Sequence, residues 1–136
     1  IIKRLDSEIE KLISQGVTDF ISGGAIGFDQ MAASLIVAKK KMGRAIRLIF
    51  ALPCHNQDIH WSAEQRQLYA GLLAEADEIH YVSEQYYDGC MKKRNRYMVK
   101  RSAFCVCALL RGFSGTQQTV RDAKQKGITV INVADN

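Results

Sequence analysis

The chain has 136 residues and carries 19 Lys and Arg against 14 Asp and Glu, a net charge of +5 at neutral pH. Hydrophobic residues make up 47% and charged residues 24%. This is an ordinary globular composition, which excludes global disorder and low-complexity sequence and suits one domain over residues 1–136. No run of 18 apolar residues occurs, so no membrane-spanning helix is expected, and no basic-then-apolar leader opens the sequence.

Ile2, Leu5, Ile9, Leu12 and Ile13 recur at helical spacing, and Gly16 is a C-terminal stop. A strand over 17–22 leads into a glycine-rich turn, SGGAIGFD, and a helix over 29–42. That helix turns Met31, Ala32, Leu35, Ile36 and Ala38 inward and ends at Gly43. A strand over 46–52 is closed by Pro53, and Ser62 with Gln65 reads as a capping box opening a helix to about residue 75. There follow a strand over 78–82, a helix over 91–102, a strand over 104–110, a helix over 116–126 stopped by Gly127, and a strand over 128–133. The strands at 46–52, 104–110 and 128–133 are almost continuously apolar, the pattern of strands buried on both faces. The alternation predicts an α/β fold, Rossmann-like and doubly wound, with a mostly parallel sheet and helices on both faces. Chemistry in such sheets sits at the carboxyl ends of the strands, here the loops at 22–29, 52–61, 83–90, 110–116 and 133–136.

The four cysteines, Cys54, Cys90, Cys105 and Cys107, form no C-x-x-C pair. A core of this size needs no staples, so reduced thiols and a cytoplasmic location are expected. Cys54, His55, Asp58 and His60 do not match a familiar zinc spacing, so no metal site is expected. Eleven of the nineteen positive charges fall in two stretches free of acids. Lys39, Lys40, Lys41, Arg44 and Arg47 form one; Lys92, Lys93, Arg94, Arg96, Lys100 and Arg101 form the other. Such clusters attract phosphates of a nucleotide or a nucleic acid. Cations favour helix C-termini, which accounts for Lys39–Lys41 but not for charges running through the helix at 91–102.

Three segments carry candidate ligand contacts. Ser22, Gly23, Gly24, Ala25, Gly27 and Asp29 form a strand-to-helix turn where glycines admit a ligand close to the backbone and helix amides face an anion. Its G-G-x-x-G spacing is neither the dinucleotide motif nor a P-loop, and as a plain turn it has Asp29 for a cap. Gly112, Ser114, Gly115 and Thr116 form a second such turn, with Thr116 as N-cap and Thr119 one turn further in. On the helix at 91–102, Met91, Met98 and Ser102 define the inward face. Asn95 lies within that face and Arg94 at its border, so both are candidate contacts, while Lys93, Arg96 and Lys100 point to solvent. Trp61, the sole tryptophan, is expected to staple a helix start rather than stack on a base.

Together these segments resemble the SLOG superfamily, which joins the SMF/DprA and Lonely Guy proteins, and most of all its YpsA-like branch of bacterial proteins. The resemblance lies in FISGGAIGFDQMAA, ALPCHNQDIHWSAEQRQLY, CMKKRNRYMVKRSAFCVCAL and GTQQTVRDAKQKGITVINV, which span nearly the whole chain. It implies a Rossmann-like sheet and a nucleotide-like ligand, of the ADP-ribose or nucleoside-phosphate class, between the Gly23–Gly27 and Gly115–Thr116 turns. It also implies that Arg94 stands where Lonely Guy enzymes carry a catalytic arginine. Those enzymes have two glutamates where this chain has Gln118 and Thr119, neither of which can serve as a carboxylate acid or base. The resemblance further implies a strand ahead of the first helix, near the sheet centre, whose loss would leave a gap unless the edge is filled some other way.

The leading expectation is therefore a sensor or regulatory module that binds a nucleotide-like small ligand. The first alternative is a hydrolase of nucleoside phosphates or nucleotide sugars, with Asp29 and Arg94 as candidate catalytic residues. The second is nucleic-acid binding, as in the DprA relatives. A homodimer is compatible with an exposed helical face, and no membrane or cofactor partner is expected.

Overall fold

The computed structural model describes residues 1–108 and 114–134, with 114–116 as backbone only. In chain order the elements are α1 (Ile2–Ser14), β1 (Asp19–Ser22), α2 (Phe28–Lys41), β2 (Arg47–Leu52), α3 (Ala63–Ala74), β3 (Glu78–Tyr81), α4 (Cys90–Lys100), β4 (Phe104–Cys107), α5 (Ser114–Gln125) and β5 (Thr129–Asn132). The strict alternation and parallel pairing make this the expected Rossmann-like α/β fold. Strand order is β1-β2-β3 in one sheet and β4-β5 in another, and every pair is parallel.

The core follows from β2. Leu48, Phe50, Ala51 and Leu52 are wholly enclosed, each large side chain contributing about 1.5–3 kcal/mol of burial. Leu5 and Ile9 of α1, Ala33, Ile36 and Val37 of α2, and Tyr69 and Leu72 of α3 pack against this strand. The predicted capping box is present: Gln65 N–H donates to Ser62 Oγ (3.2 Å), and Ser62 N–H donates to Gln65 Oε1 (3.0 Å).

β1 and β4 do not pair. A cavity of about 620 Å³ reaches from Phe20 and Ile21 of β1 past Met98 of α4 to Phe104 and Val106 of β4. The single sheet read from the sequence is thus divided, and the division falls between β1 and β4.

Several inward assignments shift. Ile2 and Met91 are exposed, as is Ala38, because α2 buries Gln30, Ala33, Ile36 and Val37 instead. α5 begins at Ser114, so Thr116 lies inside the helix rather than at its N-cap. Gly27, not Asp29, occupies the N-cap of α2, at φ 98°, a backbone conformation that side chains strongly disfavour. Trp61 packs edge-on to Tyr69 with ring centres 5.0 Å apart, the expected staple.

Asp77 ties three elements together at the end of the sheet opposite the loops. Its Oδ2 accepts from Lys40 Nζ (2.6 Å) at the end of α2 and from Leu48 N–H (2.7 Å) in β2, just before β3 begins. The Lys40 ammonium, then the Leu48 amide, hold this carboxyl below its ordinary value. A carboxyl whose folded pKa is depressed contributes stability above its unfolded value, near 3.9, and loses it as pH falls through the folded value. We therefore expect the melting temperature of the protein to fall more steeply below about pH 4 than that of Asp77→Asn, with the variant less stable at neutral pH. Thermal melts between pH 7 and pH 2.5 check this.

Candidate functional site

The carboxyl end of β1 runs into the glycine turn, and α4 delivers Arg94 against it. Arg94 is 6% exposed. Its Nη1 donates to the Gly23 carbonyl (2.5 Å), its Nε to Asn95 Oδ1 (2.8 Å), and its Nη2 lies 3.7 Å from Met91 Sδ. The sequence placed Asn95 inward and Arg94 at the border. In the structure Cys90, Arg94 and Val99 face inward and Asn95 is half-buried, so Asn95 orients the guanidinium rather than lining the core. A long apolar stem lets arginine lie on an inward face, provided its head finds acceptors.

Asp29, in the first turn of α2, lies across Gly23 from Arg94. A methyl group placed on Gly23 would sit 2.5 Å from Arg94 Nη1 and 2.8 Å from Asp29 Oδ2. Only glycine leaves room for the acid and the cation to approach the backbone from two sides. Asp29 Oδ2 accepts from Ala25 N–H (3.3 Å), closing the turn backwards. Burial raises the Asp29 carboxyl above its ordinary value, against the opposing pull of Arg94 and the Ala25 amide. Burial likewise lowers Arg94, and Asp29 offsets part of that; an arginine nevertheless stays charged at any working pH.

The turn is held from below by residues that periodicity did not single out. Ser22 Oγ donates to the Asp29 carbonyl (3.0 Å) and accepts from Gly24 N–H (3.2 Å). Gln30, 5% exposed, donates from Nε2 to the Gly24 carbonyl (3.0 Å). Gly24 has φ 71°, and a methyl group there would meet Leu52 Cδ2 at 2.8 Å and Tyr69 Cε1 at 3.3 Å. Tyr69 is fixed in turn by Gln57, whose Nε2 donates to its hydroxyl (3.0 Å), and burial pushes the phenol up to about 12. Gln30 shares the inward stripe of α2 with Ala33 and Val37. A polar residue on an apolar stripe is the one sequence signal that could have found it.

Two turn amides, Gly24 and Ala25, are thus used inside the loop, while those of Ile26 and Gly27 donate to nothing among the described residues. Of the second glycine turn, Gly112 lies outside the described residues, and Ser114, Gly115 and Thr116 are described as backbone only. Thr119, half-buried on α5, has a partner. The large cavity touches the site at Ser22 and Asp29, but its lining is mainly apolar and omits Arg94. An anion is therefore better served at the turn, where the guanidinium and the amides lie.

The YpsA family model, described as the YspA SLOG family, matches residues 1–132. The chain belongs to that family. It is 35% identical over 135 residues to the uncharacterized SPbeta prophage-derived protein YoqJ of Bacillus subtilis, a match covering 90% of this chain and 79% of YoqJ. UPF0398 proteins of Shouchella clausii and Halalkalibacterium halodurans are 27% and 28% identical over 103 and 102 residues. Each match covers 74% of this chain and 55% or 54% of the relative, so the chain spans about half the length of these relatives. The family assignment read from the four sequence segments stands.

The contact between Gly23 and Arg94 can be tested as a double-mutant cycle. Gly23→Ala alone should destabilise by about 1–3 kcal/mol, as overpacking does. In an Arg94→Ala background, where the space is vacated, the cost should be smaller by at least about 0.5 kcal/mol. Urea denaturation of the four proteins reads the coupling; strictly additive effects would contradict the packing described.

Proposed function

We propose that this protein binds a nucleotide or nucleotide-derived small ligand, of the ADP-ribose or nucleoside-phosphate class, at the carboxyl ends of its strands, as a sensor or regulatory module. One observation carries this reading: a buried, permanently charged guanidinium held against Gly23, beside Asp29 and a helix N-terminus. Removing a guanidinium from water is expensive. A purely structural element would be served as well by an apolar side chain, whereas an anionic ligand draws on the charge. Phosphate recognition at a glycine turn opening a helix follows the same physics. The four cysteines form no disulfide among the described residues, which suits a reducing compartment such as the cytoplasm. No helix among the described residues is long and apolar enough to cross a membrane.

A thermal-shift panel of AMP, ADP, ADP-ribose, NAD and cyclic nucleotides at fixed salt tests the reading. A ligand at 100 times its Kd should stabilise by about 2.7 kcal/mol, several degrees for a domain of this size. Arg94→Gln should abolish the shift while retaining the circular dichroism of the parent. The absence of a shift with every member of the panel would overturn the reading.

A second reading, a hydrolase of nucleoside phosphates or nucleotide sugars, draws on the raised Asp29 carboxyl. Such a shift brings an acid toward the range where it can exchange a proton with an attacking water. Gln118 and Thr119 offer no carboxylate in support, so on this reading Asp29→Asn abolishes turnover and spares binding. Turnover retained by that variant, measured by release of free base or ribose phosphate, would remove the second reading.

A further inference from the structure

The two basic stretches have opposite fates in the fold. In the first, every cation is matched. Lys39 pairs with Asp6 (2.7 Å) and Glu10 (3.7 Å), Lys40 with Asp77 (2.6 Å), and Lys41 with Glu75 (3.7 Å). Arg44 pairs with Glu10, and Arg47 with Asp19 (3.3 Å) and Glu78. Six of the fourteen acids are committed there: Asp6, Glu10, Asp19, Glu75, Asp77 and Glu78. In the second stretch, Lys92, Lys93, Arg96 and Lys100 are all exposed on α4. No carboxylate lies within 4.0 Å of any of them among the described residues. Four cations without a carboxylate partner among the described residues are therefore gathered on one helix face.

That face has the layout of a polyanion track. Lys92, Arg96 and Lys100 recur every fourth residue, about 6 Å apart along the axis, with Lys93 beside them. The stripe has no apolar side chain among its cations that could insert into a bilayer. Just before α4, Tyr86 and Tyr87 are 61% and 44% exposed, and Tyr87 holds the helix entry through its carbonyl, which accepts from Cys90 N–H (3.1 Å). Exposed aromatic rings at the end of a cationic stripe provide stacking faces for unpaired bases. Of the other two cations of the stretch, Arg101 lies over the Tyr97 ring, 4.2 Å from its centre, and Arg94 is turned inward, so the ligand site and this outer face use opposite sides of one helix.

We propose that the outer face of α4, with Tyr86 and Tyr87, is a docking surface for single-stranded nucleic acid, separate from the small-ligand site. Four cations neutralising four phosphates predict a slope of log K against log salt of about −2.8 for a single strand, roughly a 50-fold loss of affinity between 50 and 200 mM salt.

Fluorescence anisotropy with a labelled 20-nucleotide single strand tests this. Matched duplex and phosphatidylserine vesicles are run beside it. Lys92→Gln/Arg96→Gln, which removes two unpaired surface charges, should reduce the slope by about 1.4. Lys41→Gln/Arg44→Gln removes the same net charge from paired positions and should leave the slope unchanged. Tyr86→Ala/Tyr87→Ala should weaken binding roughly 5-fold or more with the salt slope preserved. The proposal is overturned by any of three outcomes: no binding at 50 mM salt, equal losses in the two charge variants, or tighter binding to duplex or vesicles than to the single strand. Circular dichroism of each variant confirms that the comparison is made between folded proteins.

Discussion

A guanidinium removed from water keeps its charge, and its donors must be met by acceptors fixed in place. Arg94 meets that demand with the Gly23 carbonyl at one end of the molecule's first strand and Asn95 beside it on α4. The carbonyl belongs to a turn in which no side chain fits at residue 23. Much else around the turn answers this constraint. Asp29 balances the charge from the far side of Gly23, Ser22 and Gln30 hold the turn's carbonyls and amides, and Tyr69 fills the space beneath Gly24. α4 is thereby anchored to β1 across 71 residues of sequence.

The arrangement separates two kinds of charge. The inner charge of α4 is single, buried and opposed by one carboxyl that burial makes reluctant to ionise. The outer charges are several, exposed and unopposed. Buried charges give specificity through geometry and feel salt little, whereas exposed ones act collectively and are screened within about a Debye length. One helix of eleven residues thus offers a selective contact on one side and a diffuse electrostatic one on the other. At the far end of the sheet, Asp77 and the ion pairs around Lys39–Arg47 neutralise the other basic stretch and stitch α1, α2, β2 and β3 together.

Much of the fold was legible because it depends on local signals. The apolar run of β2, the Ser62–Gln65 capping box and the glycines after α1 and α2 each report a local requirement that the sequence must satisfy wherever the element lies. The glycine turn between β1 and α2 was legible for the same reason. The rotation of α4 was not. Its hydropathy put Met91 inward and Arg94 at the border, but Arg94 is drawn inward by a carbonyl 71 residues away. Gln30 and Tyr69 escaped for a like reason, since each acts on a backbone atom or a space that exists only once β1 and α2 have packed. The division of the sheet between β1 and β4 is equally non-local: nothing within either strand says that the two do not pair, and only the family resemblance implied a gap near the sheet centre.

The central claim is that the buried Arg94 and the Gly23–Gly27 turn act together on a small anion. The most direct measurement is a heteronuclear NMR titration with AMP and with ADP-ribose, following the Arg94 side-chain Nε–H and the amides of Gly23, Gly24, Ile26 and Gly27. The account predicts that these signals move together along one saturable curve, while Lys92, Arg96 and Lys100 on the outer face of α4 stay in place. Unperturbed turn amides, or shifts confined to the outer face of α4, would contradict it.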